Sequence, residues 1–175
     1  MIPRIRLALA AGVAVIGILT ASAWLQAQTS PAEEARVSAL LSSAKIKFVK
    51  HSGSKTAAWT IDRRSAERGE FQVVVTVKGD LLIVFVTVEQ KARIQRTPEL
   101  DQKLLKMSHK FDFAKIGIDD DDDVFVRIDT HLRLLDSAAL VEIVEQVSRV
   151  TDSVYLALKP HLSVKLPDPV RQPPR

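Results

Sequence analysis

The stretch from Thr97 to Leu162 constrains the fold of this chain more than any other. It opens with T-P-E, a hydroxyl cap followed by proline at the first helical position, where a missing N–H costs nothing. Leu100, Leu104 and Met107 then recur at helical spacing and predict a helix. Phe111 to Ile118 and Val124 to Ile128 flank the run Asp119 to Asp123, which predicts a hairpin around an acidic turn. Asp136 caps a long amphipathic helix. Its stripe is Leu140, Val144, Val147, Thr151, Val154 and Leu158, widened by Ile143 and Val150, and Pro160 stops it. Connections this short leave few topologies open.

The first half supplies the rest of a sheet. Ser30-Pro31-Ala32-Glu33 has the form of a capping box and starts a helix carrying Val37, Leu40, Leu41 and Ala44 on one face. Ile46 and Phe48 alternate with lysines and suggest a short strand, and Ala57 to Asp62 a second one around Trp59 and Ile61. Arg63 to Gly69 is polar and reads as a connection. Phe71 to Val77 and Leu81 to Val88 are the strongest strands, joined by Lys78-Gly79-Asp80. The expected fold is α+β: an antiparallel sheet of five to six strands with three helices, in the order α-βββ-α-ββ-α.

The strand Leu81 to Val88 is apolar on both faces. Leu82, Val84, Val86 and Val88 share one face; Leu81, Ile83 and Phe85 share the other. Such a strand is buried on both sides or meets a partner on one. Three helices do not readily cover both faces of so wide a sheet. Leu81, Ile83 and Phe85 are therefore the candidate partner-binding residues, the alternatives being that the helix after Thr97 buries them or that the two faces are reversed.

Residues 1–27 have the form of an export signal. Arg4 and Arg6 precede an apolar run from Leu7, and Ala21-Ser22-Ala23 and Leu25-Gln26-Ala27 offer small residues for cleavage. The run reaches Leu25, close to the roughly 20 residues of a membrane span, so an uncleaved anchor is the alternative. The expected location is periplasmic or secreted, or the inner membrane if the segment is retained. Residues 28–162 form the domain. Residues 163–175 carry Pro167, Pro169, Pro173 and Pro174 and are expected to be an extended tail.

The pattern from Leu104 to Leu158 resembles the YbjN family of bacterial proteins, whose fold is like that of type III secretion chaperones. The residues that carry it are F-D-F-A-K-I-G-I-D, the acidic turn, V-F-V-R-I-D, L-L-D-S-A-A-L and the final helix with Val154-Tyr155. The resemblance spans about residues 34–160. It implies one antiparallel sheet, often a homodimer, and binding of a peptide or protein rather than chemistry. The export signal, the long aspartate run and the proline-rich tail depart from the family pattern.

Little in the chain points to catalysis. It has no cysteine, which excludes disulfides and thiolate chemistry. His51, His109, His131 and His161 stand at no metal-ligand spacing. Ser52-Gly53-Ser54 lacks the frame of a strained nucleophile elbow, and no glycine-rich loop would cradle a phosphate. Asp119 to Asp123 does not match a calcium loop, whose sixth position needs glycine and whose twelfth needs glutamate; it reads as a solvated turn that discourages edge pairing.

Half of the net charge of +4 comes from Arg4 and Arg6, so the basic balance is no footprint for nucleic acid. The expected function is a non-enzymatic exported module that binds a polypeptide segment over its sheet or along an edge, without catalytic residues, metal or cofactor. A membrane-anchored structural or envelope-stress protein is the alternative, and a homodimer is a candidate assembly.

Overall fold

The computed structural model describes residues 30–52 and 57–163. The expected export segment, and the expected tail beyond Ser163, lie outside the described residues. The first helix, α1, spans Pro31–Ser43. Ser30 Oγ accepts the Glu33 N–H at 3.3 Å, and the Glu33 carboxylate accepts the Ser30 N–H at 2.8 Å, completing the capping box. Lys45, at φ 56°, then ends the helix. Its N–H bonds Ser42 O, and the Ile46 N–H reaches back to Leu41 O, both at 3.0 Å. That is a Schellman closure with lysine where glycine is usual.

The closure consumes residues whose alternation suggests a strand. The first strand, β1, is Val49–Ser52 rather than Ile46 to Phe48. Ile46 and Phe48 instead pack, partly buried, against the core. Strand β2 is Ala57–Ser65 and β3 is Gly69–Lys78. The expected connection from Arg63 to Gly69 is largely strand: Arg63 pairs with Phe71, Arg64 with Glu70 and Ser65 with Gly69. Gly69 at φ 84° permits that tight reversal. Polarity alone is misleading there, because one face of a hairpin end is solvated.

Strand β4 is Leu81–Glu89, and α2 follows as Pro98–Lys110 with Thr97 as its cap. Strand β5 is Lys115–Ile118, shorter than expected because Phe111 caps α2 and residues 112–113 bend. Strand β6 is Val124–His131. The last helix, α3, is Ser137–Leu158, and Asp136 Oδ1 accepts the Ala139 N–H at 2.8 Å. The six strands are ordered β1-β2-β3-β4-β6-β5, each pair antiparallel. The fold is thus α+β, with four strands before α2 and two after it.

One core holds the parts together. Val37 and Leu41 of α1, Leu100 and Leu104 of α2, and Leu140, Val144, Val147, Val150 and Val154 of α3 pack with Trp59, Val73, Val75, Val77, Leu82, Val84, Val86 and Val126 of the sheet. Trp59 donates its indole N–H to Ser38 Oγ at 3.0 Å, seating α1 over β2. Helix α3 crosses β3, β4 and β6, and α2 lies against β5. The three described α-helices therefore share one face of the sheet.

Candidate functional site

The opposite face follows from strand alternation. Ladder partners point the same way, so Val49, Thr60, Val74, Phe85, Arg127 and Lys115 form one row across the six strands. His51, Ala58, Thr76, Ile83 and Asp129 form the next, and Lys78, Leu81 and His131 a third. No described helix packs on these rows. Leu81, Ile83 and Phe85 thus lie together on the face that carries none of the described helices, with Val74 beside Phe85 and Thr76 beside Ile83. Ile83 is the deepest of the three, 7% exposed, while Leu81 and Phe85 are half-buried. Thr76 Oγ1 donates to Ala57 O at 3.1 Å, which removes a polar demand from the middle of the face.

An ionic cluster borders this apolar strip. Asp129 Oδ2 accepts from Lys115 Nζ and from Arg127 Nη2, each at 2.7 Å. Burial pushes the Asp129 carboxyl up, but those two hydrogen bonds and the charges behind them outweigh it and hold the group below its ordinary value. Asp129 Oδ1 and Arg127 Nε are buried and have no hydrogen-bond partner among the described residues. Arg127 is paired across the ladder with Phe85, and Asp129 with Ile83. Sequence reasoning missed this cluster. The signal was the alternation V-F-V-R-I-D, which puts Arg127 and Asp129 on the face opposite Val126 and Ile128. At the far side of β6, the Phe125 ring lies over Gly117, where a Cβ would come within 2.8 Å of it. Glycine is thus required there to let the ring lie flat on the strand.

The aspartate run is more structured than a solvated turn. Asp119 Oδ1 accepts the N–H groups of Asp121 at 3.0 Å and Asp123 at 2.9 Å. Asp123 Oδ1 accepts the Lys91 N–H at 2.8 Å. The Asp122 carboxylate takes Lys91 Nζ, and Arg96 Nη1 at 3.1 Å, and Arg96 also holds Asp101. Asp122 is lowered below the usual carboxylate range, first by the Lys91 hydrogen bond and then by its charge. These ties close the rim of an open cleft of about 680 Å³, floored by Ile94, Leu100, Leu104, Ile118 and Val124.

The histidines are dispersed. His51 Nε2 lies 2.9 Å from Thr60 Oγ1, His131 Nδ1 lies 2.9 Å from Asp80 Oδ2, and His109 sits in the last turn of α2. Among the described residues, no three His, Cys, Asp or Glu side chains gather as a metal ion would need. None of the described helices is long and apolar enough to cross a membrane.

The sequence matches no protein-family model and no curated protein. Among solved structures, an uncharacterized protein from Methanothermobacter thermautotrophicus is similar with a TM-score of 0.53 and 9% identity, over 73% of this chain and 97% of that one. A chain of the heterodimeric ExoU–SpcU complex from the type III secretion system of Pseudomonas aeruginosa matches with a TM-score of 0.45 and 15% identity, over 58% of this chain and 84% of that one. The likeness to the Methanothermobacter thermautotrophicus protein is one of fold.

Proposed function

We propose that this chain is a non-enzymatic polypeptide-binding module that takes an extended segment across the sheet face opposite its described helices. One observation carries the reading: α1, α2 and α3 pack on the same face, leaving Leu81, Ile83, Phe85 and Val74 on a face that no described helix covers. Accessible apolar side chains gathered on one face mark a contact surface; here these are Leu81 and Phe85, half-buried beside the buried Ile83 and Val74. Phe85 and Leu81 supply the accessible apolar contact, and Arg127 and Lys115 supply cations at the margin for an acidic or carboxylate-bearing segment. The resemblance to the YbjN family, with its secretion-chaperone-like fold, points to the same class of partner. Export by residues 1–27 would place the module in the periplasm or outside the cell.

The test is fluorescence anisotropy with a panel of labelled extended peptides of apolar and acidic composition. The full chain is expected to bind members of that panel. Phe85→Ser is expected to weaken binding about tenfold or more, as the loss of a central aromatic contact does. Binding that is unchanged in a folded Phe85→Ser protein would remove the face from the interaction. Sedimentation of the same samples tells a second copy of the chain from a peptide as the occupant.

A further inference from the structure

A second surface lies at the end of α2, which packs on the side of the sheet opposite Phe85. Leu105 is 71% exposed and Phe113 is 73% exposed. Leu105 follows the buried Leu104 by one residue, about 100° around the helix, and so points away from the core. It stands about 7.5 Å along the axis from the last helical residue, Lys110. Phe113 follows in the turn, after Phe111 has turned inward against the core.

The charged residues that flank these two side chains along the chain, from 103 to 115, are nearly all lysine. Lys103, Lys106 and Lys110 are exposed on α2 beside His109, and Lys115 opens β5. Lys103 Nζ also reaches Ala157 O at 3.5 Å, and Lys115 is shared with Asp129. Asp112 is the single carboxylate between residues 103 and 115. The acidic groups gather at the other end of α2: Glu99, Asp101 held by Arg96, and the turn Asp119 to Asp123. The helix is therefore polarised, with its apolar tips at the basic end.

We infer that this basic end of α2 and the turn after it dock on an anionic phospholipid surface. Leu105 and Phe113 enter the headgroup boundary, and Lys103, Lys106 and Lys110 meet the phosphates. The composition separates lipid from protein as the occupant. Protein interfaces are depleted in lysine and enriched in arginine, whereas every full-time cation from residue 103 to residue 115 is lysine. Apolar side chains set among lysines are the pattern of interfacial membrane attachment. Apart from Lys115, which lies in the ladder row of Arg127 and Phe85, this surface uses no residue of the peptide-binding role proposed for the sheet.

The absence of cysteine makes the test clean. Leu105→Cys in the full chain carries a polarity-sensitive dye, and Leu134→Cys, also at an exposed leucine, serves as the control. The probes are vesicles of phosphatidylcholine alone and of phosphatidylcholine mixed with phosphatidylglycerol. Arg4, Arg6 and the apolar run from Leu7 to Leu25 contribute a background common to both labelled positions, which the control at 134 and the lysine variant subtract. The expected result is a blue shift at position 105, not at 134, that appears with phosphatidylglycerol and fades with salt. Lys103→Gln, Lys106→Gln and Lys110→Gln together should weaken the anionic component about tenfold or more, with the circular dichroism unchanged. Equal shifts with both vesicles, equal shifts at both positions, or an unchanged response in the triple variant would overturn the proposal. A vesicle-independent shift that grows with protein concentration would assign the surface to self-association instead.

Discussion

Asp129 shows how much chemistry one residue can concentrate on an otherwise apolar sheet face. Its Oδ2 is shared by Lys115 and Arg127, and its depressed pKa means that folding favours the carboxylate. The sign follows from linkage. Stability from this group is present above its unfolded value of about 3.9 and is lost as pH falls through the lower folded value. Asp129→Asn should therefore cost on the order of 1 kcal/mol near neutrality, discounted because its lysine partner is solvated, and the difference from wild type should vanish in acid. Thermal melts of both proteins across that pH range check it. Asp122 behaves likewise at the acidic turn: Asp122→Asn releases Lys91 and Arg96 and should lower the melting temperature at low salt, less so at high salt. The sequence by itself suggests that neutralising Asp120, Asp121 and Asp122 leaves stability nearly unchanged or raises it, since a run of like charges reads as self-repelling. The cations that offset it lie at positions 91 and 96, too far along the chain to be assigned to the turn by spacing.

At the scale of elements, the three helices are legible in the sequence because their starts are chemical. Ser30, Thr97 and Asp136 each accept a backbone N–H three residues on. The apolar stripe of α3 is equally plain: Val144 and Val147 are fully buried against the sheet. Val144→Ala should cost about 1–3 kcal/mol, and Val144→Asp should unfold the domain, as urea titration followed by circular dichroism would show. A soluble Val144→Asp protein with an unchanged spectrum would contradict the packing of α3. Strand limits are less legible. The start of β1 is hidden because lysine at position 45 adopts a conformation that sequence reasoning reserves for glycine. The end of β2 is hidden because Arg63 and Arg64 look like loop, although Arg63 reaches Glu145 on α3 at 2.9 Å.

For the whole molecule, the decisive feature is the asymmetry of the sheet. Alternation in β4 separates Leu82, Val84 and Val86 from Leu81, Ile83 and Phe85 by sequence alone, because side-chain direction has period two. Which of the two sets meets the helices is not legible there, since both are apolar. That depends on where three amphipathic helices dock, and all of them take the Val84 face. The most direct measurement therefore compares two neighbours in the full chain by equilibrium urea unfolding. Val84→Ser removes a fully buried side chain and leaves a hydroxyl in the core, and should cost about 2–4 kcal/mol. Phe85→Ser should cost about 1 kcal/mol or less and keep the native spectrum while losing peptide binding. If Phe85→Ser unfolds the chain as readily as Val84→Ser does, the Phe85 face is part of the core and the binding account fails.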